Sequence, residues 1–184
     1  YGHMILPLAN ARDKRTQVAW GVQDFESRFG RKPEGMWLPE TAVDLMTLEE
    51  LARAGLLFTV LAPHQARRWR PLGGTEWLGP SGIAPSRPYR VTLPSGASIA
   101  VFFYDGPMAR AVAFEGLLSN GEEFARRLCG AFSSDATGPQ LVHIATDGET
   151  YGHHHRFGDM ALAYALHHLE TRYGVRLTNY GQFL

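Results

Sequence analysis

The chain predicts an α/β fold in which short parallel strands are covered by helices, and three patterns carry that expectation. Continuous apolar runs such as Met4-Ile5-Leu6-Pro7-Leu8 and Val142-His143-Ile144 suit strands buried on both faces. Amphipathic stretches of about three turns follow such runs, with capping residues ahead of them and glycines behind. Their alternation is that of β-α units, whose ligand chemistry sits at the carboxyl ends of the strands.

In chain order, His3 to Leu8 reads as the first buried strand. Asp13 caps a helix over Lys14 to Phe29, where Val18, Val22, Phe25 and Phe29 form one apolar stripe and Gly30 ends it. The second strand is Gly35 to Leu38, broken by Pro39. Asp44 caps a helix whose buried face is Leu45, Leu48, Leu51 and Ala52, closed by Gly55, and Leu57 to Leu61 is the third strand. An irregular excursion over 71–97 interrupts the rhythm. Its first part, 71 to 88, is rich in Gly, Pro and Ser, and a hairpin follows from Tyr89–Leu93 across Pro94-Ser95-Gly96 to Ser98–Tyr104. Helices resume over Ala109–Leu118 and Gly121–Phe132. After a loop at 133–139, a strand over Gln140–Ala145 leads into Thr146-Asp147-Gly148-Glu149, and Phe157 to Arg172 form the last helix.

Composition narrows the function. The 184 residues carry 18 basic and 18 acidic side chains and are 45% hydrophobic, enough for one globular domain or part of a larger one. Zero net charge argues against nucleic acid or an anionic membrane as partner, since both call for a basic face. The single cysteine, Cys129, has no partner for a disulfide or a zinc site, which fits a reducing compartment and a half-buried helical thiol. No apolar stretch is long enough to span a bilayer and no signal-peptide layout opens the chain, so a soluble, cytoplasmic protein is expected. Tyr1 in place of an initiator methionine, with an apolar run close behind it, suggests a segment whose partners include the remainder of its own parent chain. No cofactor is implied.

Two strand ends carry carboxylates. Glu40 follows Trp37-Leu38-Pro39, and Asp147-Gly148-Glu149 follows the strand holding Val142-His143-Ile144. In a parallel sheet or barrel both emerge on one rim, so distant residues can share a carbohydrate substrate, one carboxylate attacking the anomeric carbon while the other delivers a proton. Trp37, Tyr104 and Tyr151 stand beside strand ends, where flat rings stack on pyranose faces. Each residue also has a plainer reading. Glu40 could start a helix, and Asp147-Gly148 could be a simple turn, as could Asp105-Gly106 after Tyr104. The tract His153-His154-His155 could contact substrate or the carboxylates, hold a metal, or form an exposed loop with one packed ring. No two histidines lie four apart as a helical metal clamp needs. His143 reads as a satisfied core histidine, His167 and His168 as structural, and His3 as either structural or substrate-binding.

Gly35-Met-Trp-Leu-Pro-Glu40 and Asp147-Gly-Glu-Thr-Tyr-Gly152 resemble two signature motifs of glycoside hydrolase family 57, and His3–Leu8 is similar to a strand that recurs there. The resemblance covers nearly the whole chain. It implies a partial (β/α)7 barrel of the glycoside hydrolase/deacetylase type and retaining chemistry on α-glucans, with Glu40 as nucleophile and Asp147 as general acid/base. From the residues themselves, His3, Trp37, Tyr104, Asp105, Glu149, Tyr151 and His153 are the candidate substrate contacts, and no metal ligand is assigned. Members include α-amylases, 4-α-glucanotransferases, branching enzymes and α-galactosidases, and the Trp-Leu-Pro-Glu form is most similar to the branching enzymes. The family's N-terminal histidine motif and C-terminal aromatic motif are absent, which marks the chain as the middle of a longer enzyme, residues 1–184 being one catalytic-barrel segment. The triple histidine stands where other members carry aromatic residues, pointing to a separate bacterial branch. Retaining cleavage asks for carboxyl groups about 5 Å apart, and inverting cleavage for about 6.5–9.5 Å. The rival readings are a metal-dependent polysaccharide deacetylase, which would ligate its ion through Asp147 with His3 or the His153–His155 tract, and a non-catalytic carbohydrate-binding remnant.

Overall fold

The computed structural model describes all of residues 1–184, in two compact units. The first holds Tyr1–Leu61 and Pro88–Phe102 and the second Ala62–Arg87 and Phe103–Phe183.

In the first unit α1 spans Ala11–Phe29 and stops at Gly30, whose φ of 65° is left-handed. Its cap is Asn10 rather than Asp13. Asn10 has extended backbone and its side chain accepts from the Asp13 amide at 3.0 Å, while Asp13, one turn inside, accepts from the Asn10 amide group at 2.8 Å. Of the expected stripe, Val18 is buried, Val22 and Phe25 are half-buried and Phe29 is exposed. Lys14, an unexpected interior residue, is 2% exposed, and its Nζ lies 2.6 Å from Asp44 Oδ2 and 3.4 Å from Thr47 Oγ1. Asp44 also caps α2 (Leu45–Arg53) by accepting from the Thr47 amide at 2.7 Å, so one carboxylate joins two helices. The buried residues of α2 are Thr47, Leu48, Glu50 and Leu51, while Ala52 is half-buried and Leu45 turns outward, against expectation.

His3–Leu8 is not a strand. His3 has φ 52°, Pro7 lacks the amide a ladder would need, and Leu6–Leu8 close a 3-10 turn with only Leu6 buried. β1 is shorter than expected, Gly35–Met36, and pairs in parallel with β2 (Phe58–Leu61), Gly35 opposite Phe58 and Met36 opposite Thr59. Gly35 is required there, because a Cβ would stand 2.3 Å from the Phe58 ring. The hairpin is present as β3 (Tyr89–Thr92) antiparallel to β4 (Ser98–Phe103), and the sheet order is β1-β2-β4-β3. Val18, Leu38, Leu51, Ile99, Val101 and Phe102 are among the fully buried apolar side chains of this unit.

In the second unit the irregular segment is closed on itself by two backbone bonds between Trp69 and Leu78, and the guanidinium groups of Arg68 and Arg70 lie 4.5 and 4.8 Å from the Trp77 ring centroid. α3 (Gly106–Phe114) starts earlier than expected, capped by Asp105, and ends before Gly116, whose φ is 72°. α4 (Gly121–Cys129) is capped by Asn120, and Cys129 is its half-buried last residue. α5 spans Gly158–Thr171, and a short α6 (Tyr180–Phe183) has no counterpart in the sequence reading. Phe124 and Leu128 pack with Val112, Leu118, Ala165 and Leu169 into one apolar cluster. Gln140–Ala145 forms no ladder. It is held by single bonds, Leu141 N to Ser86 O and Asp105 N to His143 O, both 3.0 Å. No helix of either unit is long and apolar enough to cross a membrane.

Candidate active site

Glu40 sits in a 3-10 turn, Pro39–Thr41, directly after the carboxyl end of β1. Bonds from Thr41 N to Leu38 O (2.9 Å) and from Ala42 N to Pro39 O (3.0 Å) close the turn, and fully buried Leu38 anchors it. Within it Glu40 has φ 56° and ψ 19°, left-handed backbone that a side chain with a Cβ adopts at about 1–3 kcal/mol. The resulting side chain is 72% exposed, and its Oε1 lies 3.3 Å from Nε2 of His3. His3 is left-handed too, at φ 52°. Two residues far apart in sequence, both in a conformation that favours glycine, therefore meet through their side chains. Beside them opens a cavity of about 360 Å³, within the size range of small-ligand sites and lined by His3, Met4, Val18, Phe25, Met36 and Trp37. Trp37 is 51% exposed, with ring surface free to stack.

Asp147 precedes another 3-10 turn, Gly148–Thr150, with extended backbone, an exposed side chain and no capping bond from its carboxylate. Glu149 is exposed, and its carbonyl accepts from the amides of His153 (3.1 Å) and His154 (2.9 Å). Tyr151 is half-buried and its hydroxyl accepts from Thr146 Oγ1 at 3.0 Å. The histidine tract is an exposed loop with one packed ring. His153 and His154 face solvent edge to face, and His155 Nε2 donates to the Ala113 carbonyl at 2.8 Å.

The support behind Asp147 is His143. Its Nε2 donates to the Pro85 carbonyl at 3.1 Å, so in the neutral ring Nδ1 accepts from the Tyr180 hydroxyl at 2.9 Å. Burial lowers the His143 pKa and raises that of Tyr180 to about 12, both effects keeping the pair neutral. Asp105 is a helix cap, its Oδ1 accepting from the Met108 amide at 2.9 Å, and Tyr104 is half-buried beside it. No group of three or more His, Cys, Asp or Glu side chains is arranged to hold a metal ion.

The model of one family, glycosyl hydrolase family 57, matches residues 1–183. The chain belongs to that family. Two solved structures share the fold of this family 57 chain. One is a 4-alpha-glucanotransferase from Thermococcus litoralis, 19% identical with a TM-score of 0.70, aligned over 97% of this chain and 26% of its own. The other is an exo-type maltose-forming amylase from Pyrococcus sp. ST04, 19% identical with a TM-score of 0.71, over 98% of this chain and 29% of its own. The chain thus spans little more than a quarter of their length. No curated protein matches it. A parallel strand pair with covering helices fits the partial barrel expected of the family.

The sequence of this family 57 chain reveals its site only in part. The His3–Glu40 contact escapes sequence reading, since its signal is a pair of backbone conformations rather than a residue pattern. Tyr180 escapes it too. A tyrosine on a one-turn helix shows no periodicity that ties it to His143.

Proposed function

We propose that this chain supplies the two catalytic carboxylates of an enzyme that cleaves or transfers α-linked glucosyl units with retention of configuration. Glu40 is the nucleophile and Asp147 the general acid/base. The observation that carries the reading is the Glu40 turn, in which an exposed carboxylate at the end of a parallel strand is held by strained backbone and touched by one imidazole. Family membership supports the reaction class. The names of the two structural relatives, a 4-alpha-glucanotransferase and a maltose-forming amylase, support an α-glucan substrate.

In the first step a Glu40 oxygen attacks the anomeric carbon, the glycosidic C–O bond breaks, and the departing oxygen takes its electron pair together with the proton of Asp147. The product is a β-linked glycosyl ester on Glu40. In the second step Asp147 removes a proton from water or a sugar hydroxyl as that oxygen attacks the anomeric carbon, and the ester electron pair returns to Glu40. Two inversions give net retention. Trp37 offers an aromatic face to a glucosyl ring, and Tyr104, Asp105, Glu149, Tyr151 and His153 are the further substrate contacts we assign. Whether water or a sugar hydroxyl is the acceptor decides between hydrolysis and transfer.

The test is the anomeric configuration of the first product released from maltooligosaccharides by the full-length protein, followed by NMR. An α-anomer is expected. A first-formed β-anomer would mean inversion and remove the nucleophile role from Glu40. Azide should restore turnover to Glu40→Ala and yield a β-glycosyl azide.

A further inference from the structure

We propose that His3 is a positioning residue that fixes which oxygen of Glu40 attacks the sugar. The inference rests on Glu40 being the nucleophile. A glutamate carboxylate presents two equivalent oxygens and rotates about its last bond, so attack along one line requires that one oxygen be taken. The His3 Nε2–H donates to Oε1 at 3.3 Å, and Oε2 is left to meet the anomeric carbon.

Three features of the fold make this contact more than a surface pairing. The His3 backbone is left-handed at φ 52°, a sparsely populated region, and from it the ring reaches Glu40. The ring makes its hydrogen bond to Glu40, while the backbone beside it is pinned to α1 by Gly2 N donating to Gln17 Oε1 at 2.7 Å. Glu40 is fixed from the other side by its own closed turn and buried Leu38. Both partners are therefore held by backbone rather than by side-chain chance. His3 lines the cavity, as does Pro39, the residue before Glu40.

The chemistry gives the contact a signature. In the glycosyl ester Oε1 is a neutral carbonyl oxygen. As the ester bond breaks, an electron pair returns to the carboxylate and Oε1 regains charge, so the His3 bond strengthens during the second step. Removing it slows deglycosylation more than glycosylation. The test is pre-steady-state turnover of a 4-nitrophenyl α-maltooligoside by the full-length protein and its His3→Ala and His3→Gln variants. Label from a 5-fluoro glycosyl fluoride is located in each. For His3→Ala the expected result is a burst near one equivalent per site, followed by a steady state about 10- to 100-fold slower. In His3→Gln, which keeps an N–H donor, part of that rate returns. Label on Glu40 with an unchanged balance of burst and steady state in His3→Ala overturns the positioning role alone. Burst and steady state falling in equal proportion overturn it likewise. Label on any other residue overturns the nucleophile reading on which it rests.

Discussion

The turn that carries Glu40 sets it in left-handed backbone with an imidazole on one carboxylate oxygen, whereas the turn that carries Asp147 leaves it extended, at φ −66° and ψ 145°, with no capping bond. Their supports differ as well. Behind Glu40 lie a parallel strand pair and two helices joined by the buried Lys14–Asp44 contact. Behind Asp147 lies a segment outside any ladder, held by His143 between Tyr180 and Pro85. The proposed function would put the contrast to use in two chemical duties. A nucleophile attacks along one line and gains from a fixed oxygen. A general acid/base serves a departing oxygen and then an arriving one, and gains from latitude.

Substitution at the carboxylates probes that contrast with the largest expected effects. Glu40→Gln should lower kcat on α-glucans on the order of 10³-fold or more, whatever the leaving group. Asp147→Asn should lower it about 10²–10⁴-fold on glucans, with much of the first-step loss recovered on a nitrophenyl glycoside whose leaving group needs no proton. Equal recovery in both variants would erase the difference in roles.

The supports come next. Asp44→Ala leaves the Lys14 ammonium buried without its partner and removes the α2 cap, and should cost about 2–4 kcal/mol of stability in denaturant unfolding. Burial pushes the Asp44 carboxyl up, but the bonds from Lys14 and Thr47 together outweigh it and hold its pKa below the ordinary carboxylate value. Its stabilising contribution is thus complete above the unfolded pKa of about 3.9 and lost as pH falls below that, so Asp44→Asn should flatten the acid side of the stability curve. His143 works in another window. Its pKa is lowered by burial, so the unfolded chain binds a proton that the folded one refuses, and stability should fall as pH drops through about 6.5. His143→Ala removes the hydrogen bonds to Tyr180 and to the Pro85 carbonyl, should cost about 1–3 kcal/mol, and should remove that slope from thermal midpoints measured against pH. The smallest effect belongs to Glu149→Gln, which leaves the turn's backbone bonds intact and should reduce turnover less than about tenfold, far less than Asp147→Asn.

Much of this was legible where the cue is local. The Asp44 cap, the Gly30 stop and the hairpin around Gly96 lie where the sequence places them, and Glu40 follows a parallel strand as expected, whereas Asp147 follows a segment that joins no ladder. Asn10 and Asp13 are both good caps three residues apart, and only the backbone at Asn10 decides between them. The apolar run from Met4 to Leu8 resembles a strand, yet Pro7 and the left-handed His3 deny it a partner. Nothing local in the sequence marks Lys14 as interior, because its partner Asp44 lies thirty residues on. The His3–Glu40 meeting is of the same kind, created by the fold and invisible in either motif.

The most direct test of the central claim is to trap the covalent intermediate of the full-length protein with a 5-fluoro-α-glycosyl fluoride and find the labelled residue by peptide mass spectrometry. A single glycosyl group on Glu40, released with the return of activity when an acceptor is added, is the predicted result. A label on Glu149 or another side chain, or turnover with inverted configuration and no label, would contradict it.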